Sequence, residues 1–454
     1  MVKISVLQHA PSAHLPARLG DPTPTQRNLD PNMHPFSRAR ERTRALNAAK
    51  MERMFAKPFI ASLEGHMDAV EVMVRKPDSV TDVASGSWDG EIILYNLARR
   101  TRLAKFPGAH KGKVSGLCFA DQTRILSCGI DHNIKMWDIR PSGDDLTGAG
   151  PSEPKPLHVY PGKTLFNSID HHRNDPLFAT ASNIVQIWDE TKSAPISNLT
   201  FPTSTETITS VRFNAAEPSV LASIGSDRTF TLYDIRTGKA ERRLVMQMRN
   251  NSLAWSPTFP TSVLLASEDH NLYTFDIRSM ETPTQIYKAH VAAVMSCDWS
   301  PTGQEFVSGG WDRTVRIWKE GHGSAPEVYH TKRMQRVLST VFTADARFVL
   351  SGSDDGNVRV WKSNASEKLG IITARERAAI EYRDTLKERW KMDTQIGKVQ
   401  RSRHIPKPVY KAAALKRTML EAQRVKEERR RKHTRAGDNK PKAERKKVVI
   451  AEQT

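Results

Sequence analysis

An aromatic residue followed by Asp, or by a polar stand-in, returns seven times along the middle of this chain. That periodicity limits the possible folds more than any other feature. The pairs are Tyr95-Asn96, Trp137-Asp138, Trp188-Asp189, Tyr233-Asp234, Phe275-Asp276, Trp318-Lys319 and Trp361-Lys362, spaced by 42, 51, 45, 42, 43 and 43 residues. Six residues before six of these aromatics stands an Asp: Asp89, Asp131, Asp227, Asp269, Asp312 and Asp355. In the third repeat Ser182 takes that place. Each Asp opens a turn into a short alternating run, such as Thr314-Val315-Arg316-Ile317-Trp318, which is the period-two pattern of a half-buried strand. Three repeats also carry a His behind a small residue, at Gly65-His66, Ala109-His110 and Ala289-His290, 21 to 23 residues before their Asp. A lone four-stranded sheet cannot bury both faces, but sheets stacked around a ring cover one another.

The repeat resembles the WD-repeat family over residues about 59–362, in period, turn Asp and terminal aromatic. The resemblance implies an all-β, seven-bladed WD-repeat propeller with basic α-helical N- and C-terminal extensions. It also implies a buried chain of hydrogen bonds from indole to Ser to His to Asp. Trp318, Ser308, His290 and Asp312 fit that chain, as do Trp137, Ser127, His110 and Asp131. His66, Asp89, Asp227, Asp269, Asp355 and Trp361 are parts of the same structural network. An Asp-His-Ser set has the residue types of a hydrolase triad, but geometry and exposure define a triad; a structural role is expected. After Trp361 the repeat stops without an outer strand, and Phe59-Ile60-Ala61-Ser62-Leu63 can supply it, which would remove an exposed edge.

Other chemistry is excluded or weak. Pro161-Gly162-Lys163-Thr164 lacks the first Gly of a phosphate loop, since Leu157 stands there. His171-His172 are adjacent and suggest no third metal ligand. Cys118, Cys128 and Cys297 form neither a disulfide framework nor a C-x-x-C pair. No apolar run approaches the ~18 residues of a membrane helix, and the N-terminus does not read as a signal peptide. A soluble intracellular protein is expected, with no catalytic residues, metal or cofactor, and no membrane or small-molecule partner. Residues 141–161, rich in Gly, Pro and acidic groups, read as a surface loop.

The net charge of +19 is unevenly spread: residues 1–62 carry +6, residues 363–454 carry +14 and the repeats between them −1. The reading is therefore a basic extension at 1–58 with a helix at about 37–55 capped by Ser37, a propeller at 59–362, a helical extension at 363–434 and a disordered basic tail at 435–454. Ala379, Tyr382, Leu386 and Trp390 make a narrow apolar stripe on a helix from Ala374 to Met392, expected to dock on the propeller or on a partner. Tyr410 to Arg431 reads as a second helix. The C-terminal arm has too little apolar surface to fold as an independent domain.

RNLDPNMHPFSRARERTRALN near the N-terminus, YHTKRMQ at 329–335, and ITARERAAIEYRDTLKERW and SRHIPKPVYKAA near the C-terminus resemble the WD repeat and SOF domain-containing proteins. That family implies a nucleolar component of the small-subunit processome. Its implied partners are U3 small nucleolar RNA, pre-ribosomal RNA and other processome proteins, and its implied task is 18S RNA maturation. The candidate RNA or partner contacts are Arg38, Arg40, Arg42, Arg44, Arg401, Arg403, His404, Lys407, Lys411, Arg429, Arg430, Arg431 and Lys432, since Lys and Arg bind phosphates without sequence readout. A second reading is a substrate receptor of a cullin-type ubiquitin ligase. Trp137-Asp138-Ile139-Arg140 matches a W-D-x-R adaptor pattern, with near matches ending at Arg236 and Arg278. Arg at these places also commonly packs between blades.

Overall fold

The computed structural model describes residues 36–139, 155–199, 207–435, 438 and 440–453. They fall into two compact units, one of Met1–Pro58 with Asn364–Arg403 and one of Phe59–Ser363 with His404–Thr454. No helix among the described residues is long and apolar enough to cross a membrane.

The larger unit is a seven-bladed propeller of antiparallel sheets. The blades cover residues 70–106, 114–161, 168–199, 208–246, 250–288, 294–329 and 337–362, and their strands are lettered a to d in chain order. The core lies between blades. One cluster joins Ile92, Leu94 and Phe106 of blade 1 to Val114, Leu117 and Trp137 of blade 2; another joins Leu264, Leu272 and Tyr287 of blade 5 to Trp299, Phe306 and Trp318 of blade 6. Close approach demands Gly on strand b of blades 6 and 7. A Cβ on Gly309 would lie 2.6 Å from Val337 Cγ1 of the next blade, and one on Gly352 would lie 2.8 Å from Val70 Cγ1.

The turn Asp has a visible backbone consequence. The residue after it is left-handed in six blades: Gly90, His132, Arg228, His270, Arg313 and Gly356, with φ between 61° and 81°. In blade 3, where Ser182 replaces Asp, the pattern stops.

The ring closes as the sequence indicated. Phe59–Leu63 pairs antiparallel with Val358–Lys362, Phe59 opposite Trp361, and becomes strand d of blade 7. The far C-terminus departs from expectation. Instead of a tail without order, Arg445–Val448 forms a short helix, α5, and Val449–Gln453 adds a fifth strand to blade 4 beside Lys239–Met246. Burial of Val448 in the core between blades 4 and 5, and an Arg242–Glu452 pair at 3.8 Å, supply the reason. Composition marked the segment as polar and basic, but a strand edge needs only backbone and a few apolar side chains. The long helix Lys407–Lys432, called α4 below, also belongs to this unit; its entry residue His404 lies 3.3 Å from His330 of the propeller.

Among its described residues the smaller unit has three helices: α1 (Ser37–Met54), α2 (Ala374–Arg389) and α3 (Thr394–Arg401). Ser37 is the first helical residue; Phe36 holds the cap position, without a side-chain bond. Thr373 caps α2 by accepting the Glu376 N–H, a capping box visible as Thr-x-x-Glu. Ala45, Ala49, Leu386 and Ile396 form the core, flanked by Leu46, Trp390 and Val399. The stripe on α2 thus docks on α1 and α3, and Tyr382 within it is exposed. The N-terminal helix, which sequence reasoning treated as separate, completes the core of this unit.

Candidate functional site

The Asp-His-Ser sets are internal. In blade 6 the Trp318 indole donates to Ser308 at 2.8 Å, His290 Nε2 meets Ser308 at 2.7 Å and His290 Nδ1 meets Asp312 at 3.0 Å. Blade 2 repeats this with Trp137, Ser127, His110 and Asp131 at 2.9, 2.7 and 2.9 Å. The His290 and His110 side chains are wholly buried, so no substrate reaches them. Burial holds the His290 imidazole below its ordinary range even with Asp312 beside it. Burial also opposes the charge on Asp312, but His290, Arg316 and the Thr314 hydroxyl outweigh it and keep that carboxyl well below the usual carboxylate range.

The other blades solve the same problem with other partners. Blade 1 keeps His66 on Ser85 at 2.6 Å but holds Asp89 at 3.9 Å, with Tyr95 as the aromatic. In blade 3 Trp188 donates to Thr180 at 3.0 Å. Asp227 pairs with Arg243, Asp269 accepts from the Tyr273 hydroxyl and Asp355 pairs with Arg359. Trp361 donates to Ser351 at 2.8 Å. Sequence reasoning missed Arg243, Tyr273 and Arg359. The legible signal was Tyr or Arg four residues after the Asp in blades 5 and 7; the Arg243 contact comes from strand d and had none.

Two further groups are structural. His66, Asp89 and Glu91 lie close enough to hold a metal, but Lys105 already sits 2.8 Å from Glu91, and the equivalent His-Asp pairs of blades 2 and 6 bond directly. Cys118, Cys128 and Cys297 are buried, and burial pushes Cys128 and Cys297 up to about 12, which removes thiolate reactivity at neutral pH. The central channel, about 410 Å³, is lined by Arg75, Arg212 and Asp298, which pair as Asp298–Arg75 at 3.6 Å and, with Asp170, as Asp170–Arg212 at 3.1 Å.

The basic candidates divide sharply. Arg42 is bound to Asp393 at 2.5 Å and Gln395 at 3.2 Å. Arg401 donates to Gly397 O at 3.0 Å, and Arg403 to the carbonyls of Gln400 and Ser402. Arg42 thus joins the two segments of the helical unit, while Arg401 and Arg403 bond to backbone at and just beyond the end of α3. Arg38, Arg40 and Arg44 are exposed, and Arg38 lies 5.9 Å from the Trp390 ring centre. Lys407, Lys411, Arg429, Arg430 and Lys432 are exposed on α4, which carries ten basic and three acidic residues; Arg431 is half-buried and donates to Glu427 O at 3.2 Å. Lys432 meets Glu428 at 3.3 Å. Of the adaptor candidates, Arg140 lies outside the described residues. Arg236 is 81% exposed, 3.7 Å from Asp234, and Arg278 is exposed too, so neither packs between blades.

The Sof1-like domain family matches residues 363–449, and the WD domain, G-beta repeat family matches 100–138, 281–319 and 327–362. The chain is similar to a Xenopus tropicalis protein named DDB1- and CUL4-associated factor 13, with 42% identity over 99% of both chains. The human protein of the same name is 41% identical over 99% of both. Protein SOF1 of Saccharomyces cerevisiae is 38% identical over 99% of this chain and 94% of its own. Among solved structures, the WD40 β-propeller domain of Doa1 superimposes with a TM-score of 0.55 at 21% identity, covering 67% of this chain and 96% of that one, which speaks to fold alone.

Proposed function

The chain belongs to the Sof1-like family of WD-repeat proteins, and from that premise we propose that it is a non-catalytic ribosome-biogenesis factor. It works in the nucleolus as part of the small-subunit processome, where it scaffolds pre-ribosomal RNA, U3 small nucleolar RNA and proteins for 18S RNA maturation. The propeller is the protein-docking part; the exposed cations of α1 and α4 contact RNA. One observation carries this division: the positive charge lies outside the repeats, and α4 displays Arg429, Arg430 and Lys432 to solvent on a helix of 26 residues. Such contacts give affinity that depends steeply on salt. The Arg429→Glu, Arg430→Glu, Lys432→Glu chain is expected to bind a U3 or pre-ribosomal RNA fragment at least about tenfold more weakly, with a salt slope lower by about 2. Unchanged affinity and slope would remove α4 from the interface.

A second role is favoured by the exposure of Arg236 and Arg278 and by relatives whose name associates them with DDB1 and CUL4. In this role the W-D-x-R turns present Arg140, Arg236 and Arg278 to a ligase adaptor. Pull-down of DDB1 by the wild type and not by the triple Arg→Ala chain supports it. Absence of any DDB1 binding removes it. The two roles use different surfaces and are compatible.

A further inference from the structure

In an antiparallel blade, the turn between strands b and c and the connection from strand d to the next strand a emerge at the same end. Backbone hydrogen bonds tie these two loop families together: Trp88 N–H to Ala69 O at 3.0 Å, Ile130 to Lys113 at 3.2 Å, Trp311 to Ala293 at 3.0 Å and Asp354 to Arg336 at 2.9 Å. One face of the propeller is therefore built from both families. It exposes Met67, Trp88, Ile130, Leu165, Met248 and Trp311, with Met67 at 90% and the two Trp at 41% and 44%. Among the described residues, the loops of the other face expose Val80, Leu157, Ile196 and Phe259 but no Trp.

Trp88 and Trp311 occupy the same place in blades 1 and 6, immediately before the turn Asp. Each is covered on one side by a cation from the following blade: Lys113 Nζ lies 5.4 Å from the Trp88 ring and Arg336 Cζ 4.8 Å from the Trp311 ring. Lys113 is also bound to Glu71 at 2.8 Å, which in turn accepts from the Trp88 indole at 2.6 Å. Around Trp311 the balance is different. Arg313 follows it in the turn, and Lys332, Arg333 and Arg336 stand in the connection into blade 7; all four are exposed, and among the described residues none forms an ion pair. An aromatic anchor with Arg336 on its ring and further unpaired cations in the adjoining loops complements an acidic ligand with apolar side chains.

RNA would seek aromatic planes for its bases. Here the Trp faces are already part-covered by cations, and the remaining anchors are Met, Ile and Leu, which suit side-chain burial and adaptable packing. We propose that this face docks an acidic, aliphatic-bearing segment of another protein, with Trp311 and Trp88 as anchors and Arg313, Lys332, Arg333 and Arg336 pairing with its carboxylates. This rests on reading the propeller as the protein-docking part of the factor. It leaves Arg236 and Arg278 free, because the connections from strand c to strand d emerge on the opposite face.

The test is site-specific photocrosslinking of the full chain in cells, with p-benzoylphenylalanine at Met67 and, as the opposite-face control, at Phe259. The expected result is a Met67 adduct to a protein segment of net negative charge, absent at Phe259. Lys332→Glu, Arg333→Glu, Arg336→Glu in the same chain should cut it at least tenfold, with the thermal unfolding midpoint unchanged. An adduct to RNA, to a neutral or basic segment, or equally strong after charge reversal overturns the proposal, as does no adduct at all. Sedimentation separates the two readings. Chain that travels with pre-ribosomal particles yet forms no adduct refutes the docking face alone. An acidic-segment adduct in chain that never enters such particles upholds the docking face and refutes the biogenesis role.

Discussion

The propeller and the helical unit both rely on ion pairs, but the pairs are spaced very differently along the chain. Within a blade a charge finds its partner nearby: Arg316 and Arg359 lie four residues from Asp312 and Asp355, Arg243 sixteen from Asp227 and His290 twenty-two from Asp312. In the helical unit Arg42 meets Asp393 across 351 positions, Arg389 meets Glu41 across 348 and Lys387 meets Glu52 across 335. A blade can thus assemble from local contacts and then stack. The helical unit draws its core from two segments that lie on either side of the whole propeller in sequence. The two parts are expected to fail separately.

The strongest blow to the propeller is Trp318→Ala. It empties a fully buried site and strips Ser308 of its indole donor, so a loss of about 3–5 kcal/mol is expected in urea unfolding. Amide exchange should quicken throughout the blades. The matching blow to the helical unit is Leu386→Ala, with an expected loss of about 2–4 kcal/mol. Here exchange should quicken in α1, α2 and α3 and leave the blades protected. If blade amides lose protection to the same degree, the two parts are one cooperative body and the contrast falls.

Acid gives a subtler separation. Burial holds His290 and His66 below their ordinary range, and His330 likewise, with His404 beside it. The unfolded chain takes up these protons near pH 6.5 while the folded chain resists, so stability is complete above about pH 6.5 and declines as pH falls below it. Asp312 and Asp355, held low by their partners, add to the loss below about pH 4. Asp170 and Asp298, raised by burial, act in the opposite sense. The His66→Asn, His290→Asn chain should therefore lose less stability than the wild type between about pH 7.5 and 5.5. An identical loss would assign the acid response elsewhere.

The smallest expected effect is a gain. Arg313 is left-handed at φ 61°, a conformation that costs an L-residue about 1–2 kcal/mol and Gly almost nothing. Arg313→Gly gives back part of this through extra freedom when unfolded, about 0.5–1 kcal/mol. A rise of at most about 1 kcal/mol is expected. Arg44→Gly, in the interior of α1, should instead destabilise by about 1 kcal/mol, so one substitution type would carry opposite signs in the two regions.

Legibility followed the same divide. The turn Asp and the terminal aromatic were readable because a repeat states its contacts seven times and each is short in range; the long-range closing strand at Phe59–Leu63 was readable because the last repeat lacks an outer strand. The networks of blades 2 and 6 were readable for the same reason, while the Asp227–Arg243 pair depended on the register of an outer strand. Trp88-Asp89 and Trp311-Asp312 are aromatic-Asp pairs out of phase with the repeat, since they stand at the turn and not at the strand end. Among the basic residues, composition could not separate Arg42, Arg401 and Arg403, which bind groups of their own chain, from Arg429 and Arg430, which face water.

Local chemistry was therefore enough to specify the blades, their number and the segregation of positive charge from the ring, because each of these is written within some 40 residues or in composition. Folding in three dimensions settled the rest. It chose α1 as the cover for the stripe on α2, turned a polar C-terminus into the fifth strand of blade 4 and gathered exposed Trp and unpaired cations on one face of the ring. Each outcome depends on which distant groups meet, and hydrophobic burial, backbone pairing and charge are satisfied there by partners that no local pattern names.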